Sequence, residues 1–179
     1  GWQKMSNLGP AMPGTEIACT AFKSPHVGIR YVSMILDPLY QKLNVFRVYF
    51  QHMEYGLMEK CHDGHRGWYD GWMKFPKMQH RTSIACTSYG SGSDIMGIHV
   101  FYTSANMALE MVYDGKSWRE GQFHADCIPG TEIACISWVS GSRPEIRVYL
   151  QAGHEISAIS EFAWSHGTWK SGETALPPA

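Results

Sequence analysis

The sequence predicts an all-β fold: a β-propeller of four-stranded antiparallel blades, about three in 179 residues, with a ring of about six blades completed by oligomerisation. Three observations lead there. The stretches GTEIACTAF (14–22), RTSIACTSY (81–89) and GTEIACISW (130–138) nearly repeat one another, and an echo at fixed period marks a repeat architecture. Behind each echo come short runs rich in Val, Ile, Tyr, Phe and Trp, bounded by Gly, Ser, Asp or Pro, which is strand punctuation. No window of a dozen residues has convincing helical periodicity.

Four segments recur in each repeat. The first is I-A-C plus a small or hydroxyl residue, ending on Phe22, Tyr89 or Trp138. The second is FRVYFQ (46–51), IHVFYT (98–103) and IRVYLQ (146–151); RVYFQ alternates residue type with period two, as a strand with two faces should. The third is LMEKCHDG (57–64), ALEMVYDG (108–115) and ISEFAWSHG (159–167), and the fourth GWYDGW (67–72), SWREGQF (117–123) and TWKSGE (168–173). Asp-Gly in HDGHRGW and YDGKSW signals a hairpin.

One propeller domain over 1–179 is therefore expected, with repeats at 14–80, 81–129 and 130–179. From Arg81 to Gly130 the period is 49, whereas Gly14 to Arg81 is 67 residues, about 18 more. The excess lies near 23–45. GIRYVSM (28–34) stands where a second segment is due, yet FRVYFQ fits that segment better; a long insertion and two blades run together are both open readings. GWQKM resembles a fourth segment, so residues 1–13 hold a candidate strand for completing another blade. Propellers close with typically four to eight blades. Three leave raw edges, and a two-fold dimer would close a six-bladed ring.

Composition excludes several classes. A net charge of −1 with no Lys/Arg cluster speaks against a nucleic-acid partner. No apolar run reaches the roughly 18–20 residues of a membrane span, so no membrane insertion is expected. The N-terminus lacks both an initiator Met and a signal-peptide pattern, which leaves a cytoplasmic chain or secretion without a recognisable signal as the expectation. The five cysteines, Cys19, Cys61, Cys86, Cys127 and Cys135, are odd in number, and three share the IAC slot; free structural thiols are expected. C-x-x-C is absent, and a hairpin turn accounts for His62 and His65, so neither a metal nor a cofactor is expected.

Polar residues at repeated slots need another account. Glu59, Glu110 and Glu161 fall in the third segment; Arg47, His99 and Arg147 in the second; Trp68, Trp118 and Trp169 open the fourth; His62, Tyr113 and Trp164 follow each Glu by three. A guanidinium fork and a carboxylate can grip vicinal hydroxyls, which both donate and accept. Aromatic rings offer flat apolar faces. A sugar has one hydroxyl-rich edge and one C–H-rich face, so the set matches a sugar.

In combination, IRVY, the Glu of ALEMVYDG and GWY/SWREGQF resemble the fungal fucose-binding lectins of the Aleuria aurantia type and their short bacterial relatives, over nearly the whole chain except about 23–45. The resemblance implies a six-bladed propeller that binds L-fucose and fucosylated oligosaccharides or glycoproteins in pockets between blades. It assigns Arg47 and Glu59, with backbone near Trp72, to the first pocket; His99 and Glu110, with backbone near Gln122, to the second; and Arg147 and Glu161, with backbone near Glu173, to the third. Trp68, Tyr113, Trp118, Trp164 and Trp169 would wall them. His99 stands in an Arg slot and has no bidentate fork, so the second pocket is expected to be weak or altered, although a neutral His can still donate one hydrogen bond. His62 replaces a larger ring.

Catalysis is not expected. Glycoside hydrolysis needs two carboxylates around one sugar, and each repeat brings one recurring Glu, which its Arg should hold at a lowered pKa, the wrong direction for a general acid. Asp63 and Asp114 read as turn residues. SGSDIMG (91–97) only loosely echoes a sialidase box. Repetition serves avidity on clustered ligands. A protein-binding propeller without sugar specificity and, further off, a propeller glycosidase are the alternatives.

Overall fold

The computed structural model describes residues 6–24, 43–54, 56–63, 67–73, 78, 80–91, 94–153 and 158–176. Among the described residues the alternating, β-branched and aromatic runs become strands and there is no helix. The first sheet holds β1 (Ile17–Ser24), β2 (Leu43–His52), β3 (Gly56–Asp63) and β4 (Gly67–Asp70). The second holds β5 (Ile84–Ser91), β6 (Asp94–Ser104), β7 (Met107–Tyr113) and β8 (Trp118–Asp126). The third holds β9 (Ala134–Ser140), β10 (Arg143–Leu150), β11 (Ile159–Ser165) and β12 (Thr168–Leu176). Each is an antiparallel meander in chain order. FRVYFQ lies in β2, hydrogen-bonded to β1. GWQKM and GIRYVSM lie outside the described residues, and residues 6–16 carry no strand.

Blade follows blade through the inner strands β1, β5 and β9, which touch in that order. A hydroxyl latch joins them: the Thr after one blade's IAC meets the Ser two places after the next blade's. Thr20 Oγ1 lies 2.6 Å from Ser88 Oγ, and Thr87 Oγ1 2.7 Å from Ser137 Oγ. At the far end of the inner strands the Thr of GTE clips its own blade, Thr15 accepting from Gln51 N at 2.7 Å and Thr131 from Gln151 N at 2.9 Å.

Two apolar cores lie between the three sheets. Strand alternation gives each blade a front face toward the next blade and a back face toward the preceding one. Tyr49 and Leu57 of the first sheet pack with Ile84, Ile98, Val100 and Met111 of the second. Phe101 and Phe123 of the second pack with Ile133, Ile146 and Val148 of the third. Every IAC cysteine pairs across the ladder with a back-face Val: Cys19 with Val48, Cys86 with Val100, Cys135 with Val148. All five cysteines are free. Among the described residues the outermost faces have no neighbouring sheet. Ile17 is 70% exposed, whereas its counterparts Ile84 and Ile133 are 5% and 7% exposed.

Candidate functional site

Register assembles the first cradle. On the front face of the first sheet, Arg47 pairs with Cys61 and Tyr49 with Glu59 across β2 and β3. Two residues apart on one strand, Arg47 and Tyr49 point the same way. Glu59 is buried; its Oε1 accepts the Tyr49 hydroxyl at 3.1 Å and faces Arg47 Nε at 3.8 Å. The indole N–H of Trp118 and the amide of Met73 also donate to this carboxylate. Arg47 donates through its terminal nitrogen to Asp63 Oδ1 at 3.1 Å, and its Cζ lies 5.6 Å from the centre of the Phe22 ring. Asp63 accepts from Tyr69 as well, so it anchors the cation beyond the turn role its Asp-Gly sequence suggests. Asp114, by contrast, is a turn residue, its Oδ1 capping the amides of Lys116 and Ser117.

The facing wall belongs to the second blade. Tyr113 and Trp118 are a cross-strand pair with ring centroids 5.4 Å apart. Trp118 stands edge-on to Tyr49 at 6.2 Å, and Tyr113 feels the charges of Arg47 and Glu59. Four residues from the sequence reading, Arg47, Glu59, Tyr113 and Trp118, therefore converge in one crevice between blades.

Burial pushes the Glu59 carboxyl above the ordinary glutamate range, and Arg47 only partly offsets this. That overturns the expectation of a lowered pKa: desolvation outweighs a cation held at 3.8 Å. The cause of the burial is the neighbouring blade, which the local sequence does not reveal.

The third cradle repeats the first, but among the described residues no sheet faces it. Tyr149 donates to Glu161 Oε2 at 2.7 Å, Arg147 Nε faces Glu161 Oε1 at 3.8 Å, and Arg147 reaches Glu145 at 3.4 Å. Its Cζ lies 5.0 Å from the Trp138 ring centre. The Glu161 side chain is 31% exposed against 5% for Glu59, since no described blade covers it.

The second cradle is wired differently. His99 Nδ1 donates to Glu110 Oε1 at 2.5 Å, Phe123 N donates to Oε2 at 3.0 Å, and the Tyr89 hydroxyl lies 3.4 Å from His99 Nε2. Both imidazole nitrogens thus face protein groups, and the hydrogen bond expected to remain for a ligand is already taken. Trp164 and Trp169 form the facing pair, 5.5 Å apart, with Trp169 edge-on to Phe101 at 5.8 Å.

One expected wall residue stands elsewhere. Trp68 pairs with His62 at 5.1 Å on the back face of the first blade, toward solvent and away from both crevices. The backbone expected near Trp72 does reach the first cradle, through the Met73 amide that donates to Glu59, while the Trp72 side chain itself is 89% exposed and joins no cradle. Several contributors went unassigned in the sequence: Tyr49 and Tyr149, two places after each Arg; the ring closing each first segment; and Gly71, Gly121 and Gly172, set 11 or 12 places after each Glu. A Cβ on Gly71 or Gly121 would overlap the carboxylate of Glu59 or Glu110. The ladder shifts register at Glu110 and Glu161, the bulge geometry that re-aims a side chain beside a site. Fixed spacing was the signal that could have found all of these.

Residues 1–179 match the family profile described as fungal fucose-specific lectin. The fucose-specific lectin of Aspergillus fumigatus is 34% identical over 186 residues, covering 100% of this chain and 54% of that protein. That of Arthroderma benhamiae is 34% identical, with 100% and 46% covered. Among solved structures, the SapL1 lectin in complex with α-methyl fucoside is 37% identical with a TM-score of 0.79, over 100% of this chain and 53% of that one. Aleuria aurantia lectin, a six-bladed β-propeller, matches with a TM-score of 0.69 at 24% identity over 92% of this chain and 50% of its own, a likeness of fold. The chain spans about half the length of the curated relatives it matches.

Proposed function

The chain belongs to the fungal fucose-specific lectin family, and from that premise we propose that it binds L-fucose and fucosylated glycans in crevices between its blades, without catalysis. The observation that carries this reading is the first cradle, where Arg47 and Glu59 face Tyr113 and Trp118 across the blade boundary. A guanidinium has five N–H donors, more than Asp63, Glu59 and the Phe46 carbonyl use. The remaining donors and the carboxylate suit a pair of sugar hydroxyls, and the rings suit the methyl and C–H face. Each cradle leaves a ligand one carboxylate, half of what a glycosidase needs, since Glu145 in the third is held by Arg147 and Ser165. Asp63 is occupied by Arg47 and Tyr69.

A second copy closes the ring in this reading, and two features support it. The exposed back face of the first blade presents Ile17, Phe46 and Trp68, and the exposed front face of the third presents Ile136 and Trp138. Burying an aliphatic or aromatic side chain is worth roughly 1.5–3 kcal/mol. The latch slots also match. Inside the chain they pair Thr with Ser; at the two open faces they hold Ala21 and Ile136, apolar against apolar if one copy's third blade meets another's first. His62 and Trp68 of one copy would then wall Arg147 and Glu161 of the other.

Calorimetric titration with methyl α-L-fucoside tests the site: Arg47→Ala should remove binding at the first cradle, and unchanged binding would sink the assignment. Light scattering tests closure: a mass twice that of the chain is expected, and a stable single-chain species at micromolar concentration would refute it.

A further inference from the structure

Three exchanges in the second blade occur together. Where the first and third blades have Arg47 and Arg147, this blade has His99; where they have Tyr49 and Tyr149, it has Phe101; where they have Phe22 and Trp138, it has Tyr89. Register makes the slots equivalent, since Phe101 pairs with Glu110 as Tyr49 pairs with Glu59 and Tyr149 with Glu161. Without a Tyr hydroxyl beside it, the Glu110 carboxylate is held by His99 Nδ1 instead. Once Nδ1 donates, a neutral imidazole keeps only Nε2 to offer, as an acceptor. The Tyr89 hydroxyl stands at that nitrogen, 3.4 Å away, with ring centroids 5.5 Å apart. Tyr89 can lie there because Gly97 leaves room: a Cβ at 97 would meet the Tyr89 hydroxyl at 2.7 Å.

The opposite wall registers the same change. Trp118 donates its indole N–H to Glu59, whereas its counterpart Trp169 has the indole nitrogen buried without a hydrogen-bond partner. Beside that wall a cavity of about 370 Å³ lies between β8 and β12, lined by Phe123, Phe162 and Trp169 among others and by neither His99 nor Glu110. His99 is 4% exposed at its side chain, against 15% for Arg47 and 23% for Arg147.

We propose that Tyr89, His99 and Phe101 act as one unit that closes the second crevice to fucose, the Tyr89 hydroxyl occupying the position on His99 that a sugar hydroxyl would need. The crevice keeps its aromatic wall and loses its polar edge. Selectivity among the cradles thus involves a residue of the innermost strand, Tyr89, as well as the residue in the cation slot. This inference rests on the fucose reading of the first cradle.

The test uses an Arg47→Ala/Arg147→Ala background, which silences the first and third cradles and leaves only the second to report. Methyl α-L-fucoside should give no binding heat in that background up to millimolar concentration. Adding Tyr89→Phe, His99→Arg and Phe101→Tyr, the first blade's own set, should create one fucoside equivalent per chain. One equivalent bound before the transplant, or none after it in a folded protein, overturns the proposal. If the transplant does not fold, Tyr89→Phe alone in the same background decides: saturation-transfer NMR should detect weak fucoside binding, and its absence counts against the unit. If the unaltered chain binds no fucoside at all, the lectin reading fails and this inference falls with it. Binding by the unaltered chain combined with occupancy at His99 overturns this inference alone.

Discussion

Gly71→Ala is a one-carbon perturbation aimed at the first cradle. Gly71 donates its amide to the Glu59 carbonyl at 2.8 Å, and a Cβ there would overlap Cγ, Cδ and Oε2 of Glu59. The backbone cannot retreat without breaking that bond, so the carboxylate must swing away. It then leaves the Tyr49 hydroxyl at 3.1 Å, Arg47 at 3.8 Å and the Trp118 indole. Fucose would lose its acceptor. A hydrogen bond to a charged group contributes about 1.5–3 kcal/mol, and each 1.4 kcal/mol is about tenfold in affinity. The expected loss is therefore roughly ten- to a hundredfold at the first cradle, together with a lower melting temperature from a displaced buried carboxylate. Calorimetry with methyl α-L-fucoside measures the first effect and thermal unfolding the second. Trp72→Ala, at a side chain 89% exposed, serves as the control and should change neither. A folded Gly71→Ala protein with unaltered affinity would refute the role given to Glu59.

Because burial raises the Glu59 pKa, the folded cradle takes up its proton at a pH above the ordinary glutamate value of about 4.3; fucoside affinity measured from pH 8 downward should begin to fall above that value, and a flat profile to pH 4 would contradict it. At the axial end, Glu16 and Glu132 both accept from the Ser83 hydroxyl, at 3.1 and 3.2 Å, beside a cavity of about 240 Å³ that His80, Arg81 and Cys127 also line. Hydrogen bonding to Glu16, then burial, raises the Glu132 pKa. A raised folded value means protonated Glu132 supports the fold below the unfolded pKa and loses that support as pH rises through the folded one. Melting curves should show that slope in the unaltered chain and a flatter one in Glu132→Gln; equal slopes would remove this account of Glu132. Burial pushes the Cys61 and Cys135 thiols up to about 12 and Cys86 higher still, while Cys19 is exposed on the face assigned to ring closure. Iodoacetamide at neutral pH should label Cys19 in dilute single chains and spare it in the closed ring; rapid labelling of the assembled ring would refute that closure.

The sequence was enough to read blades, strand order and the recurring cation, carboxylate and ring, because each depends on chain-local facts. A strand's alternation is written in consecutive residues, and a repeated unit solves the same packing problem each time. Arg47, Glu59, Tyr113 and Trp118 were legible for that reason. The fate of each slot was not. Whether Glu59 is raised or lowered in pKa depends on a blade folded from residues far along the chain. Whether His99 retains a free nitrogen depends on Tyr89 crossing a strand at Gly97. Trp68 and Trp169 occupy one repeat position, yet one faces solvent and the other a crevice, since only one has a preceding blade. Repetition specifies equivalent positions, whereas desolvation and hydrogen-bond partnership arise from whatever sheet lies alongside, and only the packed blades decide that.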